Sequence, residues 1–382
     1  MGKGVFLVRV LVGVSISLCF LPLVSTNAEN QHTVSVFKYT SPSYLIDRKF
    51  RSMEGPEAQE KISLLPNSSL HELLWITAVR TEMVADDGST PMPPELMCHA
   101  TVDYNPIEHG QKLEWKKVGR PRIFLLSQGV LELRFPPGFG LPVYSDEIFN
   151  INTQVLNHNF EHPNLKVRQK VTFEFVRNSD LKEPIKPLFA TAGGGMKLLE
   201  GTDGCWMMAP NSNPEKQGAG CSLGIHTPNA GNQNIYMDTY GRKFTGHWVV
   251  KPGREVNHTN VTKFLNIPFD TTLHYANVHL HPYAESLELR DITADKTIFK
   301  SHIRNQENRI GISFADFFSS QEGVPVYKDH EYELISVYNN TSGVDQDAMV
   351  TTIAYLLDKE FKQSSPTFKI SEKKLTYVPS RR

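Results

Sequence analysis

The chain is written in short runs of alternating apolar and polar residues, each cut off before a helical stripe can build. Lys170 to Val176 sets Val171, Phe173 and Phe175 on one face, and Gly129 to Phe135 alternates in the same way. Leu73 to Val79 and Arg122 to Leu126 are rich in β-formers, and Phe244 to Val250 continues the pattern late in the chain. A period of two over four to eight residues, broken by Gly, Pro and Asn, is the signature of half-buried strands. Glu57 to Leu64 and Ser313 to Phe318 are the best helix candidates, and both are short. The expected fold is all-β: two tandem jelly-roll-like β-sandwich domains.

The first residues bear on the compartment. Lys3 and Arg9 precede an apolar run from Val10 to Val24, which ends in Ser25-Thr26-Asn27-Ala28. A charged start, an apolar run shorter than the ~20 residues that span a bilayer, and small residues before a cut describe a secretory signal. Residues 1–28 are therefore read as a signal peptide, with an uncleaved anchor as the alternative. Lipidation at Cys19 is disfavoured by the bulky Leu18 before it. The expected location is secreted or periplasmic, with no membrane span in the mature chain.

Two prolines near Lys182 to Pro187 suggest a boundary. It separates an N-terminal sandwich, residues 29–185, from a C-terminal one, residues 186–365, with a polar tail at 366–382. Gly193-Gly194-Gly195 lacks the Gly-Lys-Ser/Thr of a phosphate loop and reads as linkage. The formal charge of -1, with Lys and Arg scattered, gives no reason to expect nucleic acid as a partner. No Gly-x-Ser-x-Gly elbow or His-Glu-x-x-His helix occurs, so ordinary hydrolase readings lose ground.

Cys98, Cys205 and Cys221 follow the signal. An oxidising compartment favours a disulfide between Cys205 and Cys221, which share one Gly- and Asn-rich stretch, although two thiols are the alternative. Cys98 is then the odd one, beside His99. Five Asn-x-Ser/Thr sequons begin at Asn67, Asn257, Asn260, Asn339 and Asn340. They matter only in a host that glycosylates.

The strongest chemical constellation starts at His279-Leu280-His281. On a strand, residues i and i+2 share a face, so both imidazoles can address one ion while Val278 and Leu280 face a core. Alone, His-x-His is a weak signal. Some seventy residues later, a turn containing Gly343, Asp345 and Asp347 leads to Met349 and the strand Val350 to Leu357. Two imidazoles and a thioether suit copper, Cu(I) above all, whereas zinc more often recruits a carboxylate or thiolate. Taken alone, Met349 reads as core packing. His274 has the opposite strand parity and is expected to pack elsewhere. His302 approaches the site only if its strand is adjacent.

This order of His-x-His, spacer, turn and Met resembles the copper type II, ascorbate-dependent monooxygenases, the family of peptidylglycine α-hydroxylating monooxygenase and dopamine β-monooxygenase. The resemblance spans most of the mature chain on few motifs. It implies copper, one or two ions, with ascorbate as reductant. His279, His281 and Met349 would hold the ion at which O₂ is activated for hydroxylation. A second, electron-donating copper would sit in the first sandwich. There the family's His-His pair reads Cys98-His99, its third ligand position falls on Leu156, and His158 two residues on is the nearest substitute. Where the family's peptide-modifying member carries a substrate-gripping Arg and Tyr, this chain has Asn277 and Ile353. Glycine-extended peptides are therefore an unpromising substrate. Two alternatives stay open: a non-catalytic copper-binding or surface-interaction protein, and a carbohydrate- or surface-binding sandwich with no metal.

Overall fold

In the computed structural model, strand follows strand, as the alternating patterns require. It describes residues 33–50, 52, 54–66, 70–115, 120–198, 235–237, 243–362 and 368–369. The expected signal peptide and the Cys205–Cys221 pair lie outside the described residues. Among the described residues no helix is long and apolar enough to cross a membrane.

The protein is an all-β sandwich. One large sheet runs in the order Val34–Thr40, Leu165–Arg177, Leu73–Ala85, Phe139–Tyr144, Lys186–Gly194, Gln346–Leu357, Thr271–Leu280 and Phe318–Val326, with three short strands branching from it. A four-stranded sheet (Glu57–Ile62, Phe149–Val155, Met97–Asp103, Arg122–Ser127) packs on its N-terminal part. A five-stranded sheet (Gly253–Asn260, Tyr332–Asn340, Ala284–Asp291, Lys296–Asn305, Ile312–Ala315) packs on its C-terminal part.

Both short helix candidates are strands. Glu57–Ile62 pairs antiparallel with Phe149–Val155 at the edge of its sheet, where its charged residues reach solvent. Residues 313–318 divide between Ile312–Ala315 and the start of Phe318–Val326. The longer of the two α-helices among the described residues, Pro106–Lys112, begins where Asn105 Oδ1 accepts from the backbone N–H of Ile107 and Glu108, with proline in the first turn. The glycine run is also not linkage. Gly193 and Gly194 pair with Thr352 and Thr351, and the Gly195 N–H donates to Val350 O at 2.9 Å. A Cβ on Gly195 would meet Val350 Cβ at 2.9 Å and Trp248 at 3.4 Å, so this close crossing needs glycine.

The chain around residue 186 does not leave one sheet to start another. Lys186 and Pro187 pair in parallel with Phe139 and Gly140, while the rest of that strand pairs antiparallel with Gln346–Leu357. Two cores result. Phe124, Phe135, Phe173, Tyr275, Ile353 and Tyr355 fill the first. Trp248, Val278, Leu280, Leu334, Val350 and Leu356 fill the second. Each such apolar side chain contributes about 1.5–3 kcal/mol when fully buried.

The strand alternation decides where the candidate ligands point. Along Thr271–Leu280 and Gln346–Leu357, even-numbered Val278, Leu280, Val350 and Leu356 enter the second core, while odd-numbered Tyr275, Ile353 and Tyr355 enter the first. Asn277 and His279 share the face of Tyr275; Asp347, Met349 and Thr351 share the face of Ile353. This face meets the strand Arg122–Ser127, where Tyr355 Oη donates to Ile123 O and Asn277 Nδ2 donates to Leu125 O, both at 2.7 Å.

Candidate metal centre

Strand register assembles the site. Cross-strand pairing sets His279 opposite Thr351 and His247 opposite Met349. His247 opens the short strand His247–Val250, and Trp248 behind it is fully buried, with Nε1 donating to Glu255 Oε1 at 3.0 Å. Anchoring Trp248 on one face commits His247 to the other. His281 follows the end of the His-x-His strand, ahead of Pro282. Its N–H donates to Tyr338 Oη at 3.3 Å, and Tyr338 Oη donates to Met349 O at 2.8 Å, tying the two ligand segments together.

Among the described residues, His247, His281 and Asp347 form a group whose ligand atoms all lie within 4.8 Å of one another. This group could hold a metal ion. Asp347 Oδ2 accepts from His247 Nε2 at 3.0 Å and stands 2.7 Å from His281 Nδ1. The second contact is a close approach that does not meet hydrogen-bond geometry. Because a carboxylate oxygen only accepts, the Nδ1–H tautomer of His281 would suit this contact and leave Nε2 its lone pair. His281 Nε2 and His279 Nδ1 are both buried without a hydrogen-bond partner.

Electrostatics favour the ligand-competent forms. Burial opposes the charge on Asp347, but His281 and His247 outweigh it and hold its carboxyl well below the ordinary range. Burial first, then the neighbouring His281, His99, Arg122 and His247, push His279 well below the usual imidazole range, so its ring is neutral. Neutral imidazole is the form that coordinates metals. Tyr338 is pushed up by burial and stays a phenol.

Ring spacing fits coordination. With metal–nitrogen bonds of about 2.0–2.1 Å, two imidazoles on one ion have centroids roughly 5.2 Å apart at a tetrahedral angle and no more than roughly 6.4 Å apart when opposed. The His247 and His281 centroids are 5.1 Å apart, and those of His279 and His281 are 5.5 Å apart. Met349, 9% exposed, occupies the same face by register.

His279 therefore lies beside His281, and His281 forms the close ligand group with His247 and Asp347, which the sequence reading did not single out, while Met349 is placed on this face by register alone. Asp347 stood in the turn leading to Met349, at the i−2 position that shares its face, and that spacing was the available signal. His247 carried no sequence signal beyond its strand pattern.

The N-terminal candidates do not converge in this way. Cys98, His99 and His158 do not form a group of ligand atoms within 4.8 Å. His99 Nδ1 lies 3.3 Å from Cys98 Sγ, but Cys98 packs on Leu156, so an apolar side chain stands where a third ligand was sought. The strand ends at Val155 and residue 158 lies on a bend, so it does not share a strand face with residue 156 as alternation suggested. His274 packs on Phe139 and bonds Ser320 O and Thr272 Oγ1, away from the centre. His302 is exposed and pairs with Asp316.

No family model matches the chain, and no curated protein matches it. Solved structures that do match include the crystal structure of the STIV MCP, at 9% identity and TM-score 0.29, covering 85% of this chain and 97% of that one. PBCV-1 VP54, fitted into a cryo-EM reconstruction of the virophage Sputnik, matches at 7% identity and TM-score 0.30, with coverages of 87% and 96%. N-glycanase F matches at 9% identity and TM-score 0.29, with coverages of 87% and 99%. Similarity this loose says nothing about what the chain does.

Proposed function

We propose that this protein is an exported copper protein of monooxygenase type, in which His279, His281 and Met349 hold the ion while Asp347 orients the imidazoles. The observation that carries this reading is the state of His281. Its Nδ1 faces a carboxylate, and its Nε2 is buried with no hydrogen-bond partner. A metal-bound histidine typically gives its other ring N–H to a carboxylate, which fixes tautomer and orientation. Burying a polar atom without a partner costs about 1–3 kcal/mol, and a metal ligand bond removes that cost.

The donor set selects among metals. Two imidazoles with a thioether suit copper, while His247, His281 and Asp347 alone would suit zinc or iron(II) as well. When bound, copper supplies the one-electron chemistry by which O₂ is reduced and a C–H bond hydroxylated, with ascorbate as the proposed reductant. The chain's own share is to keep His279 neutral, hold His281 by Asp347, and exclude bulk water from the imidazoles.

Asn277 and Ile353 sharpen the substrate side. Both are 1% exposed: the Asn277 amide donates to Leu125 O, and Ile353 lies in the first core. Neither offers a charged grip for a peptide carboxylate, so an uncharged substrate is proposed. One observation favours a second reading, a non-catalytic copper binder. His247 and His281 are each 2% exposed, which is the closed character of a structural site. Oxygen consumption by the copper-loaded chain with ascorbate separates the two. Ascorbate-dependent uptake that vanishes in Met349→Ala supports the enzyme; copper bound without turnover supports the binder.

A further inference from the structure

The N-terminal half reaches the same centre. The His99 ring lies 6.4 Å from that of His279, centroid to centroid, at an interplanar angle of 74°. His99 is among the charges that push the His279 imidazole down, which places the two rings in one electrostatic cluster. His99 stands on the strand Met97–Asp103. His99 pairs with Ser127 on the strand Arg122–Ser127, whose Leu125 O accepts from Asn277, two residues before His279.

We infer that His99 is a ligand to the ion held by His279 and His281, so that one composite centre, built from both halves of the chain, replaces two separate copper sites. This rests on the copper reading above and extends it. A 6.4 Å centroid separation matches the roughly 6.4 Å limit for two imidazoles on opposite sides of one ion, an arrangement in which His99 coordinates through Nε2. The 3.3 Å contact between His99 Nδ1 and Cys98 Sγ then has a defined role. Nδ1–H donates to the sulfur and sets the ring, making Cys98 a positioning residue and not a ligand. The ion would therefore clamp the strand Met97–Asp103 to the strand Thr271–Leu280.

Copper titration of the full chain, with the coordinated imidazoles counted by pulsed EPR on the Cu(II) form, tests this. Wild type is expected to bind one ion with three imidazoles, and His99→Gln to bind it about tenfold or more weakly with two. Cys98→Ala should keep all three imidazoles and lose a smaller factor. Two imidazoles in wild type, or His99→Gln titrating like wild type while His281→Gln loses the ion, would overturn the composite centre and leave the copper reading standing. Two ions per chain, one sensitive to His99 and one to His281, would also overturn it. If wild type takes up no copper, both fall. Because His247 is a further imidazole beside His281, His247→Gln is counted as well: three imidazoles retained in that variant support His99 even if His99→Gln fails to fold, and two would overturn the composite centre.

Discussion

Asp347 and His281 stand 2.7 Å apart, carboxylate oxygen to Nδ1, in a setting where the carboxylate is 10% exposed and the imidazole 2%. A buried charge is held only if its partners offset the loss of water, and here His281 and His247 do so jointly. Asp347→Asn keeps the shape and removes the charge that fixes the His281 tautomer. The expected result is a folded protein whose copper affinity falls about 10- to 100-fold, measured by competition with a chelator. Unchanged affinity would mean that Asp347 does not orient the ligand.

Tyr338 links the two ligand segments through one hydroxyl, donating to Met349 O and accepting from the His281 N–H. Tyr338→Phe leaves the ring in the second core but strands a buried carbonyl and a buried N–H. A loss of about 1–3 kcal/mol in denaturant unfolding is expected, with copper binding weakened but retained.

The turn before Asp347 depends on Asn340. Its amide donates to Val250 O at 2.9 Å and Val344 O at 2.7 Å, and its oxygen accepts from the Ser342 N–H. Asn340→Ala should cost about 2–4 kcal/mol, because more than one buried partner is left unsatisfied. The same burial, 2% exposure, predicts that the Asn340 sequon carries no glycan in the folded protein, which mass spectrometry of glycopeptides would check.

His274 gives the fold a pH dependence separate from the metal centre. Its imidazole is pushed below the ordinary range by burial, against the Ser320 carbonyl, with Lys186 adding to the depression. The folded protein therefore takes up this proton less readily than the unfolded chain does. The stability it contributes is complete above pH ~6.5 and is lost as pH falls below that towards the folded value. Urea midpoints between pH 7.5 and 5.5 should fall in wild type and fall less steeply in His274→Gln. Parallel curves would remove His274 from the account.

The strands and the pairing of His279 with His281 were legible because both follow from a period of two, which a single sequence displays. Glu57–Ile62 was misread because its charged residues look helical locally, whereas an edge strand with one exposed face accepts them. His247 was invisible as a ligand because its place depends on pairing with a strand one hundred residues away, opposite Met349. His158 misled for the opposite reason. Counting by twos presumed a strand that stops at Val155. Gly193 to Gly195 read as slack because small residues mark loops and close crossings alike, and only Trp248 and Val350 above Gly195 tell the two apart.

Copper content is the most direct test of the central claim. The full chain is loaded with Cu(I), freed of excess and measured by elemental analysis, in parallel with His281→Ala and Met349→Ala. The account predicts one copper per chain in wild type and its loss or marked weakening in both variants. No copper in wild type, or loading indifferent to both substitutions, would contradict it.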